Sequence, residues 1–208
     1  MSRSISPPRM TEMIRAFLES DSEVVRKYVS QKERYEKAGA IPEIMAFINL
    51  GGGAALGTKC ERFARYRFPI LQKRKTGKGH SGHDLLAVLA DGTQKMGEQK
   101  SGGLYAHGDF MWDHIEPKHP WDFLLLCGVY YDSIKFWAVS KPDVLKMMED
   151  GKITKHGNKA EDSYEGWWCW YSKIKDHLTE ITSNDDLVRF LDRKSTRLTG
   201  GQTFALPI

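Results

Sequence analysis

Apolar residues recur at helical spacing early in this chain, then alternate with polar ones, then form an unbroken run. Thr11 predicts the cap of a short helix to Leu18, behind a loose arm over residues 1–10. Ser20 and Glu23 stand three apart as a capping box. They open a charged helix that runs to about Ala38 and is ended by Gly39. Pro42 starts another helix, to about Asn49. Thr58 and Glu61 form a second capping box and predict a helix to Phe68, stopped by Pro69. The intervening GGAALGTK is not a phosphate-binding loop: Thr58 precedes Lys59, and no strand leads into the glycines.

From Gly82 to Ser101 the chain reads GHDLLAVLADGTQKMGEQKS, two strands joined at Asp91-Gly92. A two-residue loop would pair Ala90 with Thr93 and set Asp84 opposite Gln99. A three-residue loop, with Gly92 in the left-handed region, pairs Leu89 with Thr93 and sets Asp84 opposite Glu98. Side chains alternate faces along a strand, so Lys100 shares the face of Glu98. We prefer the second register because it gathers two carboxylates and an ammonium on one side. A one-residue slip would scatter them.

The rest of the chain is read more coarsely. Residues 72–80 (QKRKTGKGH) form a basic, glycine-containing loop. It is either a solvated charge run or a contact to a phosphate backbone through Lys73, Arg74, Lys75 and Lys78. Residues 102–120 read as a long loop with one turn of helix. Its histidines, His107, His114 and His119, fit no standard zinc spacing, and neither do His80 and His83. Trp121–Tyr130 is a buried central strand, Tyr131-Asp132-Ser133 a turn, and Ile134–Val139 a neighbouring strand. Ser140-Lys141-Pro142 caps a helix to about Asp150, with Gly151 after it. The aromatic run Trp167–Tyr171 serves either core packing or stacking on exposed bases. Ser183–Asp186 opens a last helix over Leu187 to about Arg193.

Composition narrows the class. The 208 residues are 40% hydrophobic and 28% charged, ordinary for a globular protein. They carry no internal repeat, so one domain is expected: a helical N-terminal extension over 1–50, a core over 54–150 and a C-terminal elaboration over 151–208. A net charge of +4 is compatible with nucleic acid. Cys60, Cys127 and Cys169 form no CxxC pair, which favours buried free thiols and a reducing compartment. Neither a leader-like apolar segment nor a run of eighteen apolar residues is present. A soluble, intracellular, cytoplasmic protein without a membrane partner is the expectation.

The hairpin then suggests chemistry. Two close carboxylates repel unless a cation sits between them. Mg²⁺ takes oxygen ligands, usually one or two carboxylates plus substrate phosphate. A lysine beside such an ion can orient or deprotonate an attacking water. These are the parts of a metal-dependent phosphodiester hydrolase. The plainer alternative is an amphipathic hairpin with a charged end.

The order of elements carries a resemblance. A helix bears Glu61, one strand opens at Asp84, the next closes at Glu98-Gln99-Lys100, and two buried strands and a helix follow. Over about residues 54–150 this resembles the PD-(D/E)xK nuclease superfamily, with His83 where the nominal motif has proline. The resemblance implies an α/β (α+β) fold with a restriction-endonuclease-like core: a central mixed β-sheet flanked by helices. It implies that Asp84 and Glu98 bind Mg²⁺ (or Mn²⁺ in its place), with the carbonyl of Gln99 as a further ligand. Lys100 would position the water, and Glu61 would match the acidic residue many members carry on the first helix. The implied function is that of a type II restriction endonuclease cutting a specific site in double-stranded DNA, as a homodimer if the site is a palindrome. Homing, repair and recombination nucleases share the core. The competing classes are a non-catalytic nucleic-acid-binding protein and a small-molecule enzyme or structural domain. Glu61 itself has two readings, cap partner of Thr58 or metal-site carboxylate, and both can hold.

Overall fold

A computed structural model describes residues 33–49, 56–73, 83–105, 107–155 and 166–192. In chain order the elements are α1 (Pro42–Asn49), α2 (Leu56–Arg67), β1 (Leu71–Lys73), β2 (Leu85–Val88), β3 (Gln94–Gly103) and β4 (Met111–Ile115). They continue with β5 (Phe123–Val129), β6 (Ile134–Ser140), α3 (Lys141–Glu149), β7 (Thr154–Lys155), β8 (Trp167–Trp170), α4 (Tyr171–Ile174), β9 (Thr179–Glu180) and α5 (Asn184–Asp192). Six strands form a mixed sheet in the order β1-β2-β3-β5-β6-β9. Among the described strands of this sheet only the β3–β5 pair is parallel. The fold is therefore α+β, with a mixed central sheet flanked by helices.

β5 is central because its sequence, FLLLCGV, has no polar side chain to keep wet. All of it is buried, between β3 and β6. Covering both faces of such a strand takes two layers. On one side α2 buries Cys60 and Ala64, and Phe63 and Phe68 pack on Phe136 of β6. On the other, Trp112 packs with Phe110, Trp137 and Tyr171, and its indole N–H donates to the Cys127 carbonyl at 2.9 Å. The residues just before α1 join this frame through Tyr35. Its hydroxyl donates to the Val129 carbonyl at 2.6 Å and accepts from the Leu104 amide at 2.9 Å.

Several expected features are present. α1 spans the helix read from Pro42, and helical residues 33–37 end at Gly39, whose φ is 70°. Ser140 caps α3, with its Oγ accepting from the Asp143 amide at 3.3 Å, Pro142 in the first turn and Gly151 at φ 68° beyond the end. Cys60, Cys127 and Cys169 are buried free thiols. Among the described residues no helix is long and apolar enough to cross a membrane.

Three readings need correction. α2 begins at Leu56, so Thr58 and Glu61 lie within its first two turns and are not a capping box. Gln72 and Lys73 belong to edge strand β1, paired with Leu86 and Leu85, and not to a loop. The span read as a loop after Ser101 holds the end of β3 and all of β4, and β4 joins β8 and β7 in a second sheet of order β4-β8-β7. The β4 signal was hidden by an irregularity. The register shifts between Trp112 and Ile115, and His114 has φ 55°. Two buried side chains therefore fall three residues apart, which breaks the two-residue period of a strand. The first two predicted helices up to residue 32, the Gly51–Gly53 break and the tail from residue 193 lie outside the described residues.

The second sheet packs closely on β3 at Gly102. A Cβ there would stand 2.8 Å from the Met111 carbonyl oxygen, a backbone atom with little freedom to move. Gly102→Ala is expected to destabilise the fold by about 1–3 kcal/mol, the usual cost of overpacking. A urea titration against wild type measures it, and an unchanged midpoint would contradict this packing.

Candidate catalytic site

The hairpin takes the three-residue loop. Leu85 pairs with Gly97, Leu86 with Met96, Ala87 with Lys95 and Val88 with Gln94. The Leu89 amide donates to the Thr93 carbonyl at 2.8 Å, and Gly92 turns the chain at φ 83°. The Asp91 carboxylate accepts from the Thr93 amide at 2.8 Å and stiffens the turn. Continued one residue past Leu85, this register sets Asp84 opposite Glu98. Asp84 is fastened there twice. Its amide donates to the Gly97 carbonyl at 2.9 Å, and its Oδ2 accepts from the Gln99 amide at 3.0 Å.

Glu98 and Lys100, two apart on β3, share one face. The Lys100 ammonium donates to Glu98 Oε1 at 2.7 Å, and both side chains are largely buried. Burial raises the Glu98 carboxyl above its ordinary range. Lys100 pulls it down, Asp84 pushes it up and His119 pulls it down. Glu61 reaches the same field from α2. Its carboxyl is raised by burial first, then by Asp84 and, less, by Glu98. Arg65, with Nη1 at 3.8 Å from Glu61 Oε2, and Lys73 work against this. Three carboxylates from α2, the start of β2 and β3 thus feel one another, with Lys100 as the one ammonium bonded within the group among the described residues.

The remaining candidates divide. The side chain of Gln99 points to the other face of β3 and donates to Ser101 Oγ at 3.3 Å, so toward the site it offers only its main chain. Lys73 stands on β1 opposite Leu85, next to Asp84 in the hairpin. Arg74, Lys75 and Lys78 lie outside the described residues. In the aromatic run, Cys169 is buried, Trp167 packs against the core and Tyr171 lies 5.0 Å from the Trp137 ring, so core packing accounts for these three. Trp170 instead meets Tyr105 and His107 edge to face.

His119, considered in the sequence only for zinc spacing, is close enough for its charge to lower the Glu98 carboxyl. Its segment is pinned to β3 by Asp122, whose amide donates to the Met96 carbonyl while its Oδ2 accepts from the Met96 amide, both at 2.7 Å. Lys141 Nζ donates to the His119 carbonyl at 2.6 Å. No local pattern announces bonds between residues this far apart in the chain.

Among the described residues, no group of three or more His, Cys, Asp or Glu side chains stands ready as a metal cage. Mg²⁺ does not need one, because water and substrate oxygens fill much of its shell. The donors fit such an ion: they are hard oxygens, partly desolvated and mutually repelling, and Glu98 and Glu61 are both raised above the ordinary carboxyl value. No protein-family model matches this chain, and no curated protein matches it.

The raised Glu61 carboxyl fixes a sign. Below its ordinary value of 4.5 the group is protonated both folded and unfolded. Above that, the unfolded chain ionises first, and folded-state stability is lost as pH rises through the raised value. Glu61→Gln removes this cost. Its melting temperature should exceed that of wild type at pH 7 and match it below pH 4.5. A variant less stable at pH 7 would contradict the shared field.

Proposed function

We propose that this chain is a Mg²⁺-dependent endonuclease that hydrolyses DNA phosphodiester bonds, acting as a type II restriction endonuclease on a specific duplex site, as a homodimer. The observation that carries the reading is the hairpin register, which stands Asp84 opposite Glu98 with the Lys100 ammonium 2.7 Å from the second carboxylate. The order of elements supports it: α2 with Glu61, the antiparallel run β1-β2-β3, then β5 parallel to β3, β6 and α3. That order follows the restriction-endonuclease-like pattern of the PD-(D/E)xK resemblance.

In this reading Asp84 and Glu98, with the Gln99 carbonyl, hold the cation. When bound, Mg²⁺ supplies a Lewis acid that polarises the phosphate and lowers the pKa of a water. Lys100 orients the attacking water. Its ammonium also offsets the negative charge that builds on the phosphate oxygens in the transition state. In the resting chain Glu98 holds that ammonium in place. Glu61 adds a third negative charge at the rim, which deepens the preference for a cation.

The test is cleavage of a randomised duplex library with Mg²⁺ and with EDTA. Wild type should cut only with Mg²⁺. Asp84→Ala, Glu98→Ala and Lys100→Ala should each be slower by at least ~10²–10³-fold, on the scale of losing one transition-state contact. Each should keep a cooperative melt and bind duplex DNA in Ca²⁺ within a few-fold of wild type. Full activity in all three variants would overturn the assignment. Binding by wild type without cleavage would make this a non-catalytic nucleic-acid-binding protein.

A further inference from the structure

Side chains of β8 alternate between the two faces of the small sheet β4-β8-β7. Trp167 and Cys169 turn to the core, and Trp168 and Trp170 turn to the other face. The pairing agrees: Cys169 stands opposite fully buried Trp112, and Trp170 opposite Met111. The outer face of such an antiparallel sheet ordinarily carries polar side chains. Here it carries two half-buried tryptophans, with ring centroids 6.1 Å apart. The turn between β3 and β4 adds Tyr105 and His107, both exposed, at 5.2 Å and 5.0 Å from Trp170. These three rings meet Trp170 at interplanar angles of 80°, 76° and 66°, so no described ring stacks flat on it. The Arg34 guanidinium lies 5.9 Å from the Tyr105 ring centre.

This aromatic face adjoins the carboxylates through backbone packing. Gly102 shares its face of β3 with Glu98 and Lys100. A Cβ on Gly102 would stand 2.8 Å from the Met111 carbonyl oxygen, so β4 packs on that face. α2 covers the opposite one, where Phe63 and Phe68 meet Phe136, in register with Cys127 and Ser101. Tyr105 follows Lys100 by five residues, which places their Cα atoms at most about 18 Å apart. Phosphates of a stacked strand advance by ~3.4 Å each, so the ring lies within about five nucleotides of the site.

We infer that Trp170, with Trp168 and Tyr105, is a stacking surface for an unpaired nucleobase of the DNA strand that enters the site. This inference rests on the nuclease reading above, which supplies the strand. Every nucleobase has a flat π face that an indole matches, and such stacking tolerates any sequence. A paired base is already stacked on both sides and shows the protein only its edge. The surface therefore acts on bases outside the duplex. Arg34, beside Tyr105, offers a cation to the phosphate of the same nucleotide.

Anisotropy in Ca²⁺ tests the inference with two labelled probes: a blunt mixed-sequence duplex, and the same duplex with a single-stranded arm. Wild type should bind the armed duplex about tenfold more tightly, on the scale of one stacked base. Trp170→Ala should lose most of that difference and bind the blunt duplex within about twofold of wild type, while Trp170→Phe should keep most of it. Tyr66→Ala, which removes an 84% exposed ring from α2, should change neither probe. Photocrosslinking of wild type to 5-iododeoxyuridine in the arm should label Trp168, Trp170 or Tyr105, a readout that needs no variant to fold. If the arm adds no affinity, if Trp170→Ala weakens both probes alike, or if crosslinks fall elsewhere while wild type cuts DNA, this inference falls and the nuclease reading stands. A Trp170→Ala protein that turns from dimer to monomer in light scattering would assign the face to a second copy and overturn it too. Trp170-dependent binding of the arm without cleavage would keep the stacking surface and overturn the nuclease reading. If wild type binds neither probe at low salt and cuts no DNA, both fall.

Discussion

Everything proposed for this protein depends on the pairing of β2 with β3. Gly92 sets that pairing. With φ at 83° it closes a three-residue loop that an L side chain would strain. Asp91 locks the loop from its own side chain, and the Asp84 carboxylate fastens the far end to the Gln99 amide. A slip by one residue would send Glu98 and Lys100 to the α2 face and leave Asp84 opposite an amide. The turn residues therefore act on the chemistry from one end of the hairpin while Asp84 and Glu98 stand at the other.

The same site is electrostatically uncomfortable, and that is informative. Burying Glu98 costs solvation, which Lys100 repays only in part, since the carboxyl remains raised. Glu61 and Asp84 add repulsion when apolar residues would pack at no such cost. A fold tolerates such groups where something else relieves them. A divalent cation and a phosphate would do so together, the cation answering the carboxylates and Lys100 the phosphate.

Much of this was legible in the chain. The apolar run of β5, the cap of α3 and the Asp-Gly turn are local signals, and each led to the right element. The register followed from the turn chemistry and from the grouping of Asp84, Glu98 and Lys100. The second sheet was not legible, because the irregularity at His114 erased the alternation of β4 and its partner β8 lies far along the chain. The Thr58 to Glu61 spacing matched a cap by residue type alone, while the helix starts two residues earlier, at Leu56. His119 shows the other limit: the clamp between Asp122 and Met96 places its segment, and that clamp leaves no pattern in sequence.

The central claim is that Asp84 and Glu98 together make a cation site. Titration with Mn²⁺, followed by the electron paramagnetic resonance of the free ion, measures it most directly. The expected result is loss of free-ion signal on adding wild-type protein, reversed by Mg²⁺ and abolished in Asp84→Asn and in Glu98→Gln. Folded wild-type protein that takes up no Mn²⁺, with or without a duplex present, or variants that take it up as wild type does, would contradict the claim.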